Sequence, residues 1–343
     1  MNRTVRIAWI DVLRGIGIFL VILGHRLPYY LPRNIFCWIY IFHIPLFFFI
    51  SGMLASPKNS FDNQNNSWLN KRIRTLVIPY LILGLIFLVF SFTLDYLIHH
   101  PPSVSLLNLL QGLRIGPLWF LPTLFFVEFV FVSIRNVCTK EYELFFCILF
   151  ATVLGCVINS FYIPKDSMKI CDNLPYHLNA VLIMLPFYYC GNIFFEKRDM
   201  IMSSTKGWKL FLVLSSAMLI SVCAVRFNHQ VDINYGWYGR YSRFFPGAFS
   251  GITICLCISI AIERHLRNFV SPLSYLGKNT LVLLAFHTLF FKLLAYVFQK
   301  TGLNVLNYLP IFNTLLAIVC FIPVIYFFSH FFPIAIGRAQ RKK

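Results

Sequence analysis

The chain has 343 residues, of which 58% are hydrophobic and 12% are charged, and its formal net charge is +18. A soluble domain carries about 25% charged residues, so this composition excludes a soluble enzyme or a soluble nucleic-acid-binding domain. Apolar segments follow one another along the sequence, which predicts a single membrane domain over residues 1–343. The expected surroundings are the lipid bilayer, and no nucleic-acid partner is expected.

Ten segments are long and apolar enough to cross a bilayer, which takes about 20 residues for a helix. They cover roughly residues 8–25, 36–55, 75–94, 117–134, 142–160, 176–195, 208–226, 244–262, 273–298 and 308–332. The predicted fold class is therefore all-α, a polytopic membrane helix bundle with about ten transmembrane helices.

Lysine and arginine are distributed unevenly between the two sides of this bundle. With the N-terminus inside, the cytoplasmic pieces, together with Lys209 just beyond one of them, hold 18 of these residues, and the opposite loops hold nine. This excess follows the positive-inside rule. It predicts that both termini are cytoplasmic, and it makes the basic charge mainly a signal of topology.

The first segment contains IDVLRGIGIFLVILGH, residues 10–25, in which ionisable residues interrupt an apolar helix. From Arg14 to His25 is eleven residues, close to three helical turns, so both side chains project from one face about 16 Å apart along the axis. Asp11 lies one turn before Arg14 on the same side. Such groups usually face a protein interior and serve a function. The structural alternative is an Arg that reaches the headgroups and an interfacial His.

Other segments place charged and imidazole side chains at matching depths. Glu128 in the fourth segment is expected at a depth similar to that of Arg14, and an Arg14–Glu128 ion pair would reduce the cost of burying either charge. His43 and His287 are expected nearer the outer end, where His43 could approach His25. A role as packed, hydrogen-bonded polar residues is the alternative for both histidines.

The remaining sequence offers one outer stretch and no metal motif. The ten cysteines are scattered without CxxC or Cys/His spacing, so no metal is predicted. NYGWYGRYSRFF at 234–245 offers aromatic side chains for stacking on a glycan, and Arg240 and Arg243 for anionic groups. An interfacial aromatic belt is the alternative interpretation of this stretch.

Five segments, taken in order, resemble the acyltransferase-3 family of membrane acyltransferases. They are IDVLRGIGIFLVILGH, with a basic residue, ten positions and then His, IFHIPLFFFISGMLA at 41–55, KRIRTLVIPY at 71–80, GPLWFLPTLFFVEF at 116–129 and SYLGKNTLVLLAFH at 274–287. The resemblance spans nearly the whole chain and is closest to the fucose 4-O-acetylase-like subgroup. It implies a bundle of about ten helices in a bacterial inner (plasma) membrane.

The resemblance also implies a reaction. The family transfers an acyl group, usually acetyl from cytoplasmic acetyl-CoA, to a hydroxyl of a cell-envelope or exported glycan, soluble or lipid-linked. His25 is then the candidate general base, because His is the usual base near neutral pH. Arg14 would orient the cofactor or support the reaction electrostatically, with Asp11 as its partner. Acetyl and larger acyl donors are both open, as are direct transfer and an acyl-histidine intermediate.

The basic cluster before the third segment is the expected donor site. Lys71, Arg72 and Arg74 could hold the phosphates of CoA through charge-assisted hydrogen bonds. The family commonly has R-x-x-R here, and the matching ends in this chain are Lys71 and Arg74. Whether Lys71 or Arg72 makes the donor contact is left open. The alternative is that all three residues only enforce topology.

A transporter or flippase is the competing class. In that interpretation Asp11, Arg14 and His25 form a proton relay or a translocation path. The basic cluster suited to a phosphorylated donor favours the enzyme, and so does the lack of an internal repeat, which many transporters have. An acyl-CoA-dependent gain in acceptor mass would distinguish the two classes.

Overall fold

The computed structural model describes residues 7–26, 33–55, 65–113, 115–162, 174–204, 207–228 and 231–338. This part of the chain is all-helical, and its β-pairing is limited to an isolated antiparallel bridge between Asp232 and Trp237. The predicted all-α fold class is confirmed.

Fourteen α-helices form the described part of the chain. In chain order they are α1 (Ala8–Gly24), α2 (Arg33–Met53), α3 (Asn65–Arg72), α4 (Ile78–Leu97), α5 (Leu106–Gln111), α6 (Phe120–Val137), α7 (Glu141–Tyr162), α8 (Leu178–Glu196), α9 (Arg198–Ser204), α10 (Trp208–Phe227), α11 (Tyr241–His265), α12 (Arg267–Lys278), α13 (Thr280–Lys300) and α14 (Pro310–Phe331). A π-helical turn, Ile73–Val77, joins α3 to α4.

Nine helical stretches in the described ranges have the length and hydropathy of membrane spans, which confirms a polytopic bundle. One of them runs from Trp68 through the π-helical turn to Leu97. The predicted first segment corresponds to α1, which has 17 residues and is not among these nine stretches. That length gives about 25 Å of helix, slightly less than the roughly 30 Å of a bilayer's hydrocarbon core.

The predicted ninth segment, 273–298, is divided in the structure. The chain leaves helical geometry at Asn279, so that α12 ends at Lys278 and the membrane span is α13. The Asn279 side chain donates a hydrogen bond to the Tyr275 carbonyl at 2.7 Å, and Arg338 donates to Asn279 Oδ1 at 2.9 Å. Because these bonds satisfy polar groups at the break, the kink costs little. Lys278 therefore lies at the exposed end of a short helix instead of within a span.

The helix α1 packs against α2, α11, α12, α13 and α14, and its contact with α12 is the most extensive. Two glycines bring α1 and α12 into backbone contact: a Cβ added at Gly15 would lie 2.1 Å from the Leu273 carbonyl oxygen, and one at Gly277 would lie 1.9 Å from that of Asp11. Small residues allow such close approach in membrane bundles. At the start of α1, the Trp9 amide donates to Glu263 Oε1 at 3.2 Å.

The helices α2 and α8 are also brought into backbone contact by glycines. A Cβ at Gly52 would lie 1.9 Å from the Tyr188 carbonyl oxygen, and one at Gly191 would lie 2.0 Å from that of Phe49. The side chain of Asn192 adds a hydrogen bond to the Gly52 carbonyl at 3.4 Å. The helices that carry the polar groups of the first and second predicted segments are thus each in close backbone contact with one neighbouring helix.

We expect Gly15→Ala to destabilise the protein, because the added methyl group meets a backbone carbonyl that cannot rotate away. Overpacking of this kind costs at least about 1–3 kcal/mol. The matched control is Gly17→Ala on the same helix, where the nearest atoms, 3.1–3.3 Å away, belong to the side chains of Phe47 and Leu46. Thermal unfolding in lipid nanodiscs measures the difference. Equal melting temperatures for the two variants would show that α1 and α12 are not in backbone contact.

Candidate active site

A polar cavity lies at the end of the bundle where α1 ends and α2 begins, which is the outer end in the predicted topology. Its volume of about 410 Å³ falls within the roughly 300–1,000 Å³ of small-molecule sites. It is enclosed by α1, α2 and α13 and by three connecting segments. The lining residues are Val21, His25, Tyr40, His43, Ile44, Ser103, Gly116, Pro117, Trp119, Asp232, Ile233, Asn234, Tyr235, Leu284 and Thr288.

His25 lies in this cavity directly after the last residue of α1. Its Nδ1 is 2.9 Å from the carbonyl oxygen of Val21, one turn earlier. A carbonyl oxygen can only accept a hydrogen bond, so in the neutral ring Nδ1 carries the proton and Nε2 keeps the lone pair. The backbone thereby fixes the tautomer in which Nε2 can act as a base.

His287 on α13 lies beside His25, although the two are 262 positions apart in the sequence. Their ring centroids are 4.7 Å apart with the planes at 81°. The Nδ1 of His287 is 2.9 Å from the Leu283 carbonyl oxygen, so this ring has the same tautomer as His25. His287 is fully buried, and its Nε2 has no hydrogen-bond partner in the structure.

His43 on α2 lines the same cavity as His25. Its ring centroid is 4.9 Å from that of Tyr40, which in turn is 6.2 Å from that of His25. The Nδ1 of His43 is 2.8 Å from the Ile39 carbonyl oxygen, again one turn earlier. Among the described residues, no three His, Cys, Asp or Glu side chains are arranged to hold a metal ion.

Asp232 is a cavity residue that sequence reasoning missed. Its Oδ1 accepts a hydrogen bond from the amide of Asn234 at 3.1 Å. Burial raises the pKa of Asp232 to about 6, although the backbone N–H groups of Asn234 and Tyr235 favour the charged form. A signal was present: the chain has only 12 acidic residues, and this one stands two positions before the outer stretch at 234–245.

The outer stretch reaches the cavity through its first residues. Asn234 and Tyr235 line the cavity, whereas the predicted anion-binding residues Arg240 and Arg243 do not. The Arg240 amide donates to Asn228 Oδ1 at 2.8 Å, and the Arg243 guanidinium lies 5.6 Å from the centre of the Phe227 ring. Both arginines therefore stand outside the cavity wall.

A cluster of polar side chains beside the cavity stabilises its wall. Asp95, almost fully buried near the end of α4, forms an ion pair with Lys292 of α13. The carboxylate also accepts hydrogen bonds from the amide and the hydroxyl of Ser103, at 2.8 and 2.7 Å. Because Ser103 lines the cavity and α13 carries His287, this group ties the cavity wall to the helix of the second histidine.

The predicted ion pair between Arg14 and Glu128 is wrong: Glu128 pairs with Arg72. The Arg72 Nε lies 2.6 Å from Glu128 Oε2, and the side chains are 17% and 2% exposed. Tyr188 of α8 lies beside both charged groups. Arg72 is therefore directed into the bundle, where it neutralises the carboxylate that α6 buries.

Lys71 and Arg74 are exposed, in contrast to Arg72 between them. The π-helical turn begins directly after Arg72, and Thr75 donates a side-chain hydrogen bond to the Lys71 carbonyl at 2.9 Å. π-Helical turns are rare and frequent at functional sites. Of the three candidate donor-binding residues, the structure leaves Lys71 and Arg74 accessible to a charged ligand.

Asp11 and Arg14 lie where α12 crosses α1. Asp11 is buried and Arg14 is partly buried. A Cβ at Gly277 of α12 would lie 3.1 Å from the Cβ of Arg14, so the glycine leaves room for the base of this side chain. The predicted partnership of Asp11 with Arg14 stays a prediction.

The Arg72–Glu128 pair predicts a specific pattern of stabilities. Glu128→Leu should lower the free energy of unfolding by about 3 kcal/mol, because it leaves a largely buried guanidinium without its carboxylate. Arg72→Met in the same protein should restore most of this loss, since an apolar pair needs no neutralisation. Thermal unfolding of the single and double variants in nanodiscs gives the coupling energy. Additive losses would show that the two side chains do not interact.

A comparison with protein families agrees with the resemblance. The acyltransferase-3 family model, described as an acyltransferase domain, matches residues 7–330, which include every candidate site residue discussed above. No match was found among curated proteins or among solved structures. The matched region covers most of the 343 residues. The chain therefore belongs to the acyltransferase-3 family and is a multi-pass membrane acyltransferase.

Proposed function

We propose that the protein is an O-acetyltransferase that moves acetyl from cytoplasmic acetyl-CoA to a hydroxyl of an exported or cell-envelope glycan. The observation that carries this proposal is His25, which lines a cavity large enough for a sugar and has its lone pair fixed on Nε2. The family supplies acyl transfer as the reaction class. A bacterial inner membrane with cytoplasmic termini is the setting that we propose for it.

The proposed chemistry uses one base and one leaving group. His25 Nε2 removes the proton of an acceptor hydroxyl while the hydroxyl oxygen attacks the thioester carbonyl carbon. The new C–O ester bond forms, the C–S bond breaks, and the CoA sulfur leaves as a thiolate. The proton on Nε2 then passes to that sulfur, which restores neutral His25 and releases CoA with a free thiol.

The donor is proposed to bind at the inner end of the bundle. Lys71 and Arg74 are exposed there and match the ends of the family's R-x-x-R pattern, whereas Arg72 is occupied by Glu128. Two exposed cations can hold phosphate oxygens through charge-assisted hydrogen bonds. Arg14, partly buried on the same face of α1 as His25, would orient the donor arm between the two ends.

His25→Ala tests the base directly. We expect loss of label transfer from radiolabelled acetyl-CoA to glycan by about 10²–10⁴-fold, the usual contribution of a general base. His330→Ala is the matched control, because it removes an exposed imidazole at the end of α14 that does not line the cavity. Equal melting temperatures would show that both variants fold.

Several outcomes would revise the proposal. Full transfer by His25→Ala would exclude His25 as the base and direct attention to His43 and His287. Movement of unmodified glycan across vesicles, without release of CoA, would favour the carrier class instead.

Lys71→Ala and Arg74→Ala should raise the KM for acetyl-CoA about tenfold each, the effect of losing about 1.4 kcal/mol of binding. The KM for the acceptor should not change, because the acceptor is proposed to bind at the other end. Lys209→Ala, which removes another exposed cation from the same predicted side, is the control for total charge. If all three variants shift the KM equally, the cluster acts only through its net charge.

A further inference from the structure

We propose that Asp232 selects the acceptor by charge, so that the cavity takes a neutral or cationic sugar ring and rejects an anionic one. The inference rests on the proposed function, since it concerns the acceptor of the same reaction. It names the chemical class of the acceptor and a specificity-determining residue from a connecting segment.

The fold holds Asp232 in a fixed position. Its amide donates to the Trp237 carbonyl at 2.7 Å, and the Trp237 amide donates back at 2.9 Å. Gly236, with φ of 69°, closes the turn between the two residues in the left-handed region. The Asn234 amide bonds Oδ1 of the carboxylate. These bonds hold the backbone of the turn and one oxygen of the carboxylate in place.

The charged residues that line the cavity disfavour an anionic ligand. Among the described lining residues, Asp232 is the carboxylate, and neither lysine nor arginine is present. The other titratable groups that face the cavity are His25 of α1, Tyr40 and His43 of α2, and Tyr235 of the same segment as Asp232. His25 must be neutral to act as a base. A negative charge on the acceptor would therefore meet Asp232 without a compensating cation from these residues.

The remaining wall suits a sugar ring. Tyr40, Trp119 and Tyr235 present aromatic surface to the cavity, against which the C–H groups of a sugar can pack. An ionised carboxylate has about four acceptor positions, so Asp232 can accept sugar hydroxyls in addition to the Asn234 amide. The Thr288 hydroxyl also lines the cavity, and its Oγ1 is buried without a hydrogen-bond partner. A bound hydroxyl would satisfy it.

The test uses the full chain in nanodiscs and two methyl glycosides that differ only at C6. Methyl β-glucoside carries a hydroxymethyl group there, and methyl β-glucuronide carries a carboxylate. Ligand-observed NMR titration at neutral pH gives the affinity of each. We expect wild type to bind the glucoside at least about tenfold more tightly than the glucuronide, because unit charges a few ångströms apart in a partly buried site repel strongly.

Asp232→Asn should reduce this preference to about threefold or less, since it removes the charge and keeps an oxygen for the Asn234 amide. The matched control is Asp199→Asn, which removes an 86%-exposed carboxylate on α9 and should leave the preference unchanged. Equal binding of both glycosides to wild type, binding of neither, or an unchanged preference in Asp232→Asn would overturn the inference.

A separate readout distinguishes this inference from the proposed reaction. Release of CoA and formation of acetyl ester are measured on the same preparations. Ester formation on both glycosides without preference would keep the acetyltransferase and remove the role of Asp232. Selective binding that depends on Asp232 but yields no ester with acetyl-CoA would keep charge selection and remove the proposed reaction.

Discussion

The cost of placing a charge inside a bilayer determines how this molecule is arranged. A membrane helix with ionisable side chains must be surrounded by protein and must supply each charge with a partner. α1 meets the first condition by packing against five helices, with glycines that let α12 approach its backbone. The second condition is met at Glu128 of α6, whose charge is paired with Arg72. These contacts hold α1, which ends just before His25, and direct Arg72 into the bundle.

Much of the architecture could be predicted, because its signals lie within single segments. Apolar length gave the spans, and helical periodicity placed Arg14 and His25 on one face of α1. The predictions that failed concerned contacts between segments that are distant in the sequence. Depth alone matched Glu128 with Arg14, but depth does not say which helix is the neighbour, and α6 faces Arg72 instead. The break at Asn279 was missed because the polar stretch Lys278–Thr280 is short and apolar residues resume at Leu281.

The cavity could also be predicted only in part from the sequence, for the same reason. His25, His43 and His287 were chosen from sequence as separate candidates, and the packing of α1, α2 and α13 brings them to one end of the bundle. Asp232 was missed because it belongs to neither a membrane segment nor a motif; its place in the wall depends on a turn stabilised by backbone bonds to Trp237. Only the folded chain brings such a residue into the same cavity as His25.

The backbone contacts of the three imidazoles limit how protons can move through this site. A histidine that conducts protons takes one up at one ring nitrogen and releases another from the opposite nitrogen. In His25, His43 and His287 the Nδ1 proton is held by a carbonyl of the preceding turn. Each ring can therefore take up and release a proton only at Nε2. A ring of this kind can be the last residue of a proton path but cannot pass the proton on to a further residue. This property suits a reversible base and does not suit a proton-conducting chain across the membrane.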